Sequence, residues 1–533
     1  MKRRPILLLT LLLCTTIAAF PSRLSAQTIA PDPRFGIAEA HQAPWAAAEL
    51  GAGWTRITFR WQEIQPDGPD QWNEPLTDEQ LALERSLGRE VVGLVIGTPG
   101  WAVDPQRGLG APQGLYLDPA DPRNLWAVFL RDLVSRYTGR IDHWVIWSEP
   151  DVWEGPHQTW GGSVEDFAQL VRVSYAAIKE VNPHAVVHLP GLTHWWDANY
   201  GREPFLRRLL RTLSADPAAA PNGYYFDIAT LHIYSQPEST YDLTVLYRSL
   251  IGEFGLEKPI WIEVGVAPSD DPAWPVPDAP LHVTLEEQAA FIVQAMALGI
   301  AAGAERIGVY RTADTERDLA GDPAPFGLVR MDGGRRPAFT AYRVAATYLA
   351  GFHRGEWARR DEISLVAVDR GYQTTTVAWS RTTDPQTALV PARATQALLV
   401  NLWGEARIAY PERGYYVLDL PGCDASRACL VGGAPLMVVE TTSNGAVIAS
   451  LPSPTAPPPL SSPTPVPPQA PPPSPTASPS PLPTPSPPPP TPEGLPTAPR
   501  SVFPAPPVRS LGVAGLMLTG LALVGLTRPH RRR

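Results

Sequence analysis

The chain is 533 residues long, more than one ordinary domain accounts for. Its formal net charge is −9, with no long acidic or basic block in the middle of the chain. Nucleic acid is thereby excluded as a partner, because nucleic-acid binders carry a basic face. The 17 tryptophans could stack on sugar rings, but burial in a large core is the commoner explanation for such residues.

At the N-terminus Lys2, Arg3 and Arg4 precede an apolar run over 6–20, and Leu24-Ser25-Ala26 offers a small-residue cleavage site before Gln27. Residues 1–26 therefore read as a secretory signal peptide. Cys14 lies inside it, and Leu13 before it fits a lipoprotein site poorly. The two cysteines left, Cys423 and Cys429, are expected to form a disulfide in an exported protein; two buried free thiols are the other reading.

From about 31 to 350, apolar β-rich runs alternate with amphipathic helical ones. The strand candidates are 35–38, 54–59, 91–96, 143–147, 185–189, 226–232, 260–264 and 306–310, and the clearest helices are 121–137, 164–181, 204–213, 285–302 and 339–350. Asp121 and Thr284 stand where N-caps belong. Eight strand–helix repeats predict an α/β fold, a (β/α)8 TIM barrel. An open doubly wound sheet is the alternative, but Glu39-Ala40-His41-Gln42 after the first strand lacks its Gly-rich phosphate turn.

Residues 356–446 change to short β runs, at 364–368, 374–379, 396–401 and 415–420, and predict a small β-sandwich. It is either a carbohydrate-binding module or a structural partner of the barrel. Residues 451–507 are almost wholly Pro, Ser, Thr and Ala, which cannot build a core. A polyproline II stalk there would reach on the order of 170 Å. Residues 510–527 are apolar and long enough for a transmembrane helix, and 528–533 form a basic tail that would stay cytoplasmic. The expectation is a cell-surface protein anchored to the cytoplasmic membrane by this C-terminal helix, with the folded part outside. A cleaved wall-sorting tail has a similar layout, but Leu495-Pro496-Thr497-Ala498 does not match the usual sorting pentapeptide.

Two of the strand candidates lead into a glutamate: Ile146-Trp147-Ser148-Glu149-Pro150-Asp151 and Pro259-Ile260-Trp261-Ile262-Glu263. In one barrel both carboxylates emerge at the C-terminal rim, where barrel enzymes keep their chemistry. A carboxylic acid on a leaving oxygen and a carboxylate at the anomeric carbon are what glycosidic cleavage requires. Taken singly, each could be a salt-bridged strand-end acid. His232 and Tyr234 share a strand face. Arg56 lies inside its apolar strand, whereas Arg60 lies beyond. Trp153, Trp160, Trp195 and Trp196 follow the fourth and fifth strands as candidate sugar platforms, and Tyr310 ends the eighth. No group of His, Cys and carboxylates has metal spacing, and no cofactor is expected.

These segments resemble clan A, the retaining (β/α)8 glycoside hydrolases, and within it families 5 and 39, the cellulase-like and β-xylosidase-like enzymes. Trp147-Ser148-Glu149-Pro150 stands where the clan has Trp-Asn-Glu-Pro, which implies that Glu149 is the acid/base. Glu263 at the seventh strand matches the nucleophile. The resemblance further implies supporting roles for Arg56 on strand two and for Tyr234 of His232-Ile233-Tyr234 on strand six. Thr98-Pro99-Gly100-Trp101, Phe326-Gly327-Leu328-Val329 and Arg336-Pro337-Ala338 also look like this group. It covers about 33–350. Ser148 departs from the clan, since a hydroxyl cannot donate and accept as an amide does. The expectation is a retaining O-glycosidase acting on a carbohydrate substrate, with carboxyl groups about 5–5.5 Å apart. The alternatives are a carbohydrate-binding pseudoenzyme and a structural surface protein.

Overall fold

The computed structural model describes residues 31–441, apart from 235, 278, 280, 321–322 and 425–428. The apolar runs form β1 (Asp32–Ala38), β2 (Ala52–Arg60), β3 (Glu90–Ile96), β4 (His143–Ile146), β5 (Val186–Leu192), β6 (Ile228–Tyr234), β7 (Ile260–Gly265) and β8 (Arg306–Val309). They pair in parallel in chain order, and β8 closes on β1. Strands covered on both faces need nearly continuous apolar sequence, as these have.

Each strand is followed by a main helix: α1 (Pro44–Leu50), α2 (Asp78–Ser86), α3 (Leu125–Tyr137), α4 (Val164–Val181), α5 (Phe205–Ser214), α6 (Glu238–Gly252), α7 (Leu285–Ala301) and α8 (Pro337–Leu349). Thr284 caps α7 as expected, in a capping box with Glu287. Asp121 does not cap α3. Its carboxylate accepts from the Arg123 backbone in the preceding turn, so the helix starts later, with Asn124 accepting from Ala127 N.

Trp54 and Trp261 fill the barrel axis with ring centroids 5.3 Å apart. Trp54 fits because Gly36 and Gly308 flank it: a Cβ on either would lie 2.2 Å and 2.7 Å from its ring. The barrel interior is thus filled with aromatic bulk, with the His143 and His188 rings packed on Trp261 beneath it.

The second domain has a six-stranded sheet, in the order β14-β13-β16-β11-β10-β9, and a two-stranded sheet, β12-β15. Its strands are β9 (Arg354–Arg359), β10 (Ile363–Asp369), β11 (Gln373–Ser380), β12 (Gln386–Pro391), β13 (Ala397–Val400), β14 (Ala406–Ala409), β15 (Tyr415–Leu420) and β16 (Leu436–Thr441). The two sheets enclose Leu365, Ala378, Val390, Leu399, Tyr416 and Leu418. The domain sits on α6 and α7: Tyr241 and Trp357 rings lie 4.7 Å apart, and the Gln294 amide donates to Gly433 O at 3.0 Å. Cys423 and Cys429 are joined in a disulfide, Cα atoms 5.8 Å apart. Among the described residues no helix is long and apolar enough to cross a membrane. The segments 1–26, 451–507, 510–527 and 528–533 lie outside the described residues.

Candidate active site

β7 is fully buried and aims Glu263 into the barrel mouth. Arg56, inside β2, meets it with a bidentate fork: Nε donates to Oε1 at 2.6 Å and Nη2 to Oε2 at 2.7 Å. Arg60 lies outside this arrangement, in a 3.8 Å ion pair with Glu63. Burial pushes the Glu263 carboxyl up, but the Arg56 charge and hydrogen bonds, helped by His232, reverse this and hold it below the usual range. Glu263 is therefore ionised at neutral pH, with lone pairs to spare beyond the two that Arg56 uses.

Glu149 arrives differently. β4 ends at Ile146, and the chain then turns through left-handed conformations at Trp147 (φ 74°) and Glu149 (φ 52°). Such values are uncommon outside glycine and are held here by the fold. The Glu149 amide donates to Gly191 O at 2.9 Å, and Trp147 Nε1 donates to Thr159 Oγ1, which donates in turn to Ser148 O. Asp151 ties the same turn to the end of β5 by accepting from Thr193 N, Thr193 Oγ1 and His194 N. Burial and the nearby Glu149 push the Asp151 carboxyl up to about 6, against those hydrogen bonds.

His232 on β6 joins the two carboxylates. Nδ1 lies 2.7 Å from Glu149 Oε1 and Nε2 lies 3.8 Å from Glu263 Oε2. The carboxylates thus stand one imidazole ring apart. Burial pulls the His232 pKa down, but the hydrogen bond and charge of Glu149 carry it above the ordinary value. The ring packs against Gly191, where a Cβ would sit 2.1 Å from Nε2. Only glycine permits that approach. The Glu149 side chain is 25% exposed and that of Glu263 10%, so the former is the more open to water.

Tyr234 and Tyr310 stand beside this centre, ring centroids 6.2 Å apart, with Phe326 packed on both. Burial, then Glu149 and Glu263, push the Tyr234 hydroxyl well up, which keeps it protonated. It faces both carboxylates electrostatically, yet it makes no hydrogen bond to Glu263. Arg56 lies 5.7 Å from the Tyr310 ring centre. Ser148 is half-buried beside Glu149, and its hydroxyl bonds no described residue. Trp101 stands off the centre, in the loop after β3, donating to Gln65 O at 2.8 Å and packing edge-on to Trp61.

The rim tryptophans divide. Trp160 is buried against Trp147 and Phe167, so it is core and no sugar platform. Trp195 is half-buried against the core. Trp153 and Trp196 gather with Tyr200, whose ring stacks on Trp196 at 6.0 Å and 4°. Among the described residues no His, Cys, Asp and Glu side chains form a group suited to a metal ion.

Glu39 is the site residue that motif reading missed. It directly follows β1, has φ 59°, and is buried. Its Oε1 accepts from Thr58 Oγ1 at 2.6 Å and from Arg56 Nη1 at 3.3 Å. It could have been found by the signal that found the others: an apolar strand running into a glutamate.

No family model matches the sequence, and no curated protein matches it. Solved structures do share the fold. A family 39 glycoside hydrolase from the gut symbiont Bacteroides cellulosilyticus superimposes with a TM-score of 0.57 at 17% identity, over 77% of this chain and 81% of that one. A GH30 endoxylanase from Clostridium papyrosolvens gives 0.51 at 12%, over 78% and 98%. A monomeric β-xylosidase from Caulobacter crescentus gives 0.50 at 16%, over 78% and 98%. At such identities the likeness establishes the architecture, a (β/α)8 barrel with a β-domain behind it, and agrees with the resemblance to clan A.

Proposed function

We propose that this chain is a retaining glycosidase that hydrolyses O-glycosyl bonds. The observation that carries this reading is the pair of carboxylates one imidazole apart at the barrel mouth, one of them clamped in its ionised form by Arg56. In the first step Glu263 attacks the anomeric carbon while Glu149 protonates the leaving oxygen. In the second, Glu149 takes a proton from water, which attacks the anomeric carbon and releases Glu263. The greater exposure of Glu149 suits a group that must reach both leaving group and water. His232 holds Glu149 at Oε1 and leaves Oε2 for the substrate.

The substrate is an oligo- or polysaccharide met outside the cell. A secretory leader, a proline-rich stalk and an apolar C-terminal segment in the sequence support that setting, and the disulfide fits an oxidising compartment. The alternative, a sugar-binding protein without turnover, draws on Ser148, which lacks the amide that would strengthen its bond to a sugar 2-hydroxyl in the transition state. The test is NMR of the first-formed product from aryl glycosides. Retained anomeric configuration supports the proposal; inversion, or binding without any product, overturns it.

A further inference from the structure

Three histidines stand at successive heights in the barrel, at the start of β4, within β5 and near the end of β6, and the double displacement uses only the last. At the foot of β3, Glu90 has two partners: His143 Nε2 lies 3.0 Å from its Oε1, and Arg306 Nη1 donates to its Oε2 at 2.6 Å. Burial pushes this carboxyl up, but His143 and Arg306 bring it down to about 2, so it accepts from His143 at neutral pH. His143 Nδ1 in turn lies 2.9 Å from His188 Nε2. The other nitrogen of that ring, His188 Nδ1, is buried and has no partner. His188 lines a cavity of about 20 Å³ inside the barrel, and Thr230, His232 and Glu263 line it too. Such a space holds one water where polar groups surround it. His232 Nε2 makes no hydrogen bond among the described residues, since Glu263 Oε2 stands 3.8 Å away. His143 also borders a second cavity, of about 510 Å³, at the lower mouth of the barrel with Arg34 and Arg306.

These contacts admit two proton arrangements, each with every bond made. In the first, His143 carries both ring protons and donates from Nδ1 to His188 Nε2. His188 donates from Nδ1 to a water, which donates to His232 Nε2 and Thr230 Oγ1. In the second, His232 carries both protons and donates from Nε2 to the water. The water donates to His188 Nδ1 and Thr230 Oγ1, and His188 donates from Nε2 to His143 Nδ1. Thr230 Oγ1 is free to accept, because its own proton goes to Leu189 O. Three short hops interconvert the two and move one positive charge between His143 and His232. Burial, then His143 and Arg306, hold His188 well below its ordinary value, so that ring passes a proton on and does not keep it. The charges facing the upper end are Glu149, Glu263 and Arg56, with Tyr234 protonated beside them; those facing the lower end are Glu90 and Arg306.

We propose that His143, His188 and one water in the inner cavity form a proton relay between the lower mouth of the barrel and His232. Its timing rests on the glycosidase reading. When Glu149 gives its proton to the leaving oxygen, His143 Nδ1 gives a proton to His188 Nε2, His188 Nδ1 gives one to the water, and the water gives one to His232 Nε2. A cation then faces the new carboxylate. When Glu149 regains a proton in the second step, the three hops reverse and every ring returns to its first tautomer. Over the cycle the relay gains and loses no proton.

The first test needs no turnover. It is nitrogen NMR of isotope-labelled histidine rings in the full chain and in Glu149→Gln, whose amide stands for the protonated acid. His188 should carry its proton at Nε2 in the wild type with Glu149 ionised, and at Nδ1 in Glu149→Gln, with the second proton moved from His232 to His143. A purely structural pair would not change tautomer on so distant a substitution. The second test is kinetic. His188→Gln, matched to the wild type by thermal melting, keeps a donor and an acceptor on different atoms, so it can hold bonds but cannot pass a proton. Its kcat/KM on disaccharides should fall about tenfold, and on dinitrophenyl glycosides much less. If the wild type turns over nothing, the glycosidase reading fails alone, and a tautomer switch at His188 still supports the relay. The same His188 tautomer in wild type and Glu149→Gln or, with an active wild type, an unchanged kcat/KM on disaccharides in His188→Gln would overturn it.

Discussion

Replacing Arg56 by Met tests the electrostatics of the site. The substitution keeps much of the apolar stem and removes both charged donors from Glu263, which remains buried. Breaking a buried pair by deleting one partner costs about 3–5 kcal/mol, because the other charge is left uncompensated. The carboxyl relieves this by taking up a proton. At about 1.4 kcal/mol per pKa unit, and with His232 and entering water offsetting part of the loss, its pKa rises by about two units. In the wild type the folded value is depressed, so the pair's contribution is fully present above the unfolded Glu value of about 4.3 and is lost as pH falls through the folded value. Activity on an activated aryl glycoside, which needs no acid help, reports that limb of the kcat/KM profile. The acidic limb of the variant should move up by about two units, and Arg56→Lys should restore little, since an ammonium cannot make the fork. An acidic limb in the same place for wild type and Arg56→Met would refute this account of Glu263.

Three further outcomes follow from named contacts. Glu149→Gln should lose about 10²–10⁴-fold in kcat/KM on disaccharides and far less on dinitrophenyl glycosides, as leaving-group dependence by stopped assay would show. Gly191→Ala places a Cβ 2.1 Å from His232 Nε2, so the ring must move; lower turnover and a lower melting temperature are expected together. His232 has a raised folded pKa, so its pairing with Glu149 contributes fully below the unfolded His value of about 6.5 and fades as pH rises through the folded value. Urea unfolding of His232→Gln across pH 5–9 should lack that part of the wild-type slope.

The barrel was legible because its strands are buried on both faces, so Val91–Ile96 or Ile260–Val264 stands out as an apolar run. α2 was not, because of its nine residues only Leu81 and Glu84 are buried, too few to mark a face. The edge strand β9, Arg-Gly-Glu-Trp-Ala-Arg, hides for the same reason. At the site, Arg56, Glu149, His232 and Glu263 could be read from strand ends and spacing. Glu39 was passed over because its segment was read only for a phosphate turn. Which of the tryptophans are core also escaped sequence, since the burial of Trp160 depends on Trp147 turning back in a left-handed conformation after β4. No pattern of residue types announces that turn.

If Glu263 is the nucleophile, it forms a covalent bond to the sugar during turnover. Incubation with a 2-deoxy-2-fluoro glycosyl donor slows the second step and should leave one fluoroglycosyl group on the protein, seen as an intact-mass increase. Peptide mapping should place it on Glu263, and Glu263→Gln should remain unlabelled. Label on Glu149 or another residue, or turnover of the substrate with no covalent adduct, would contradict the account.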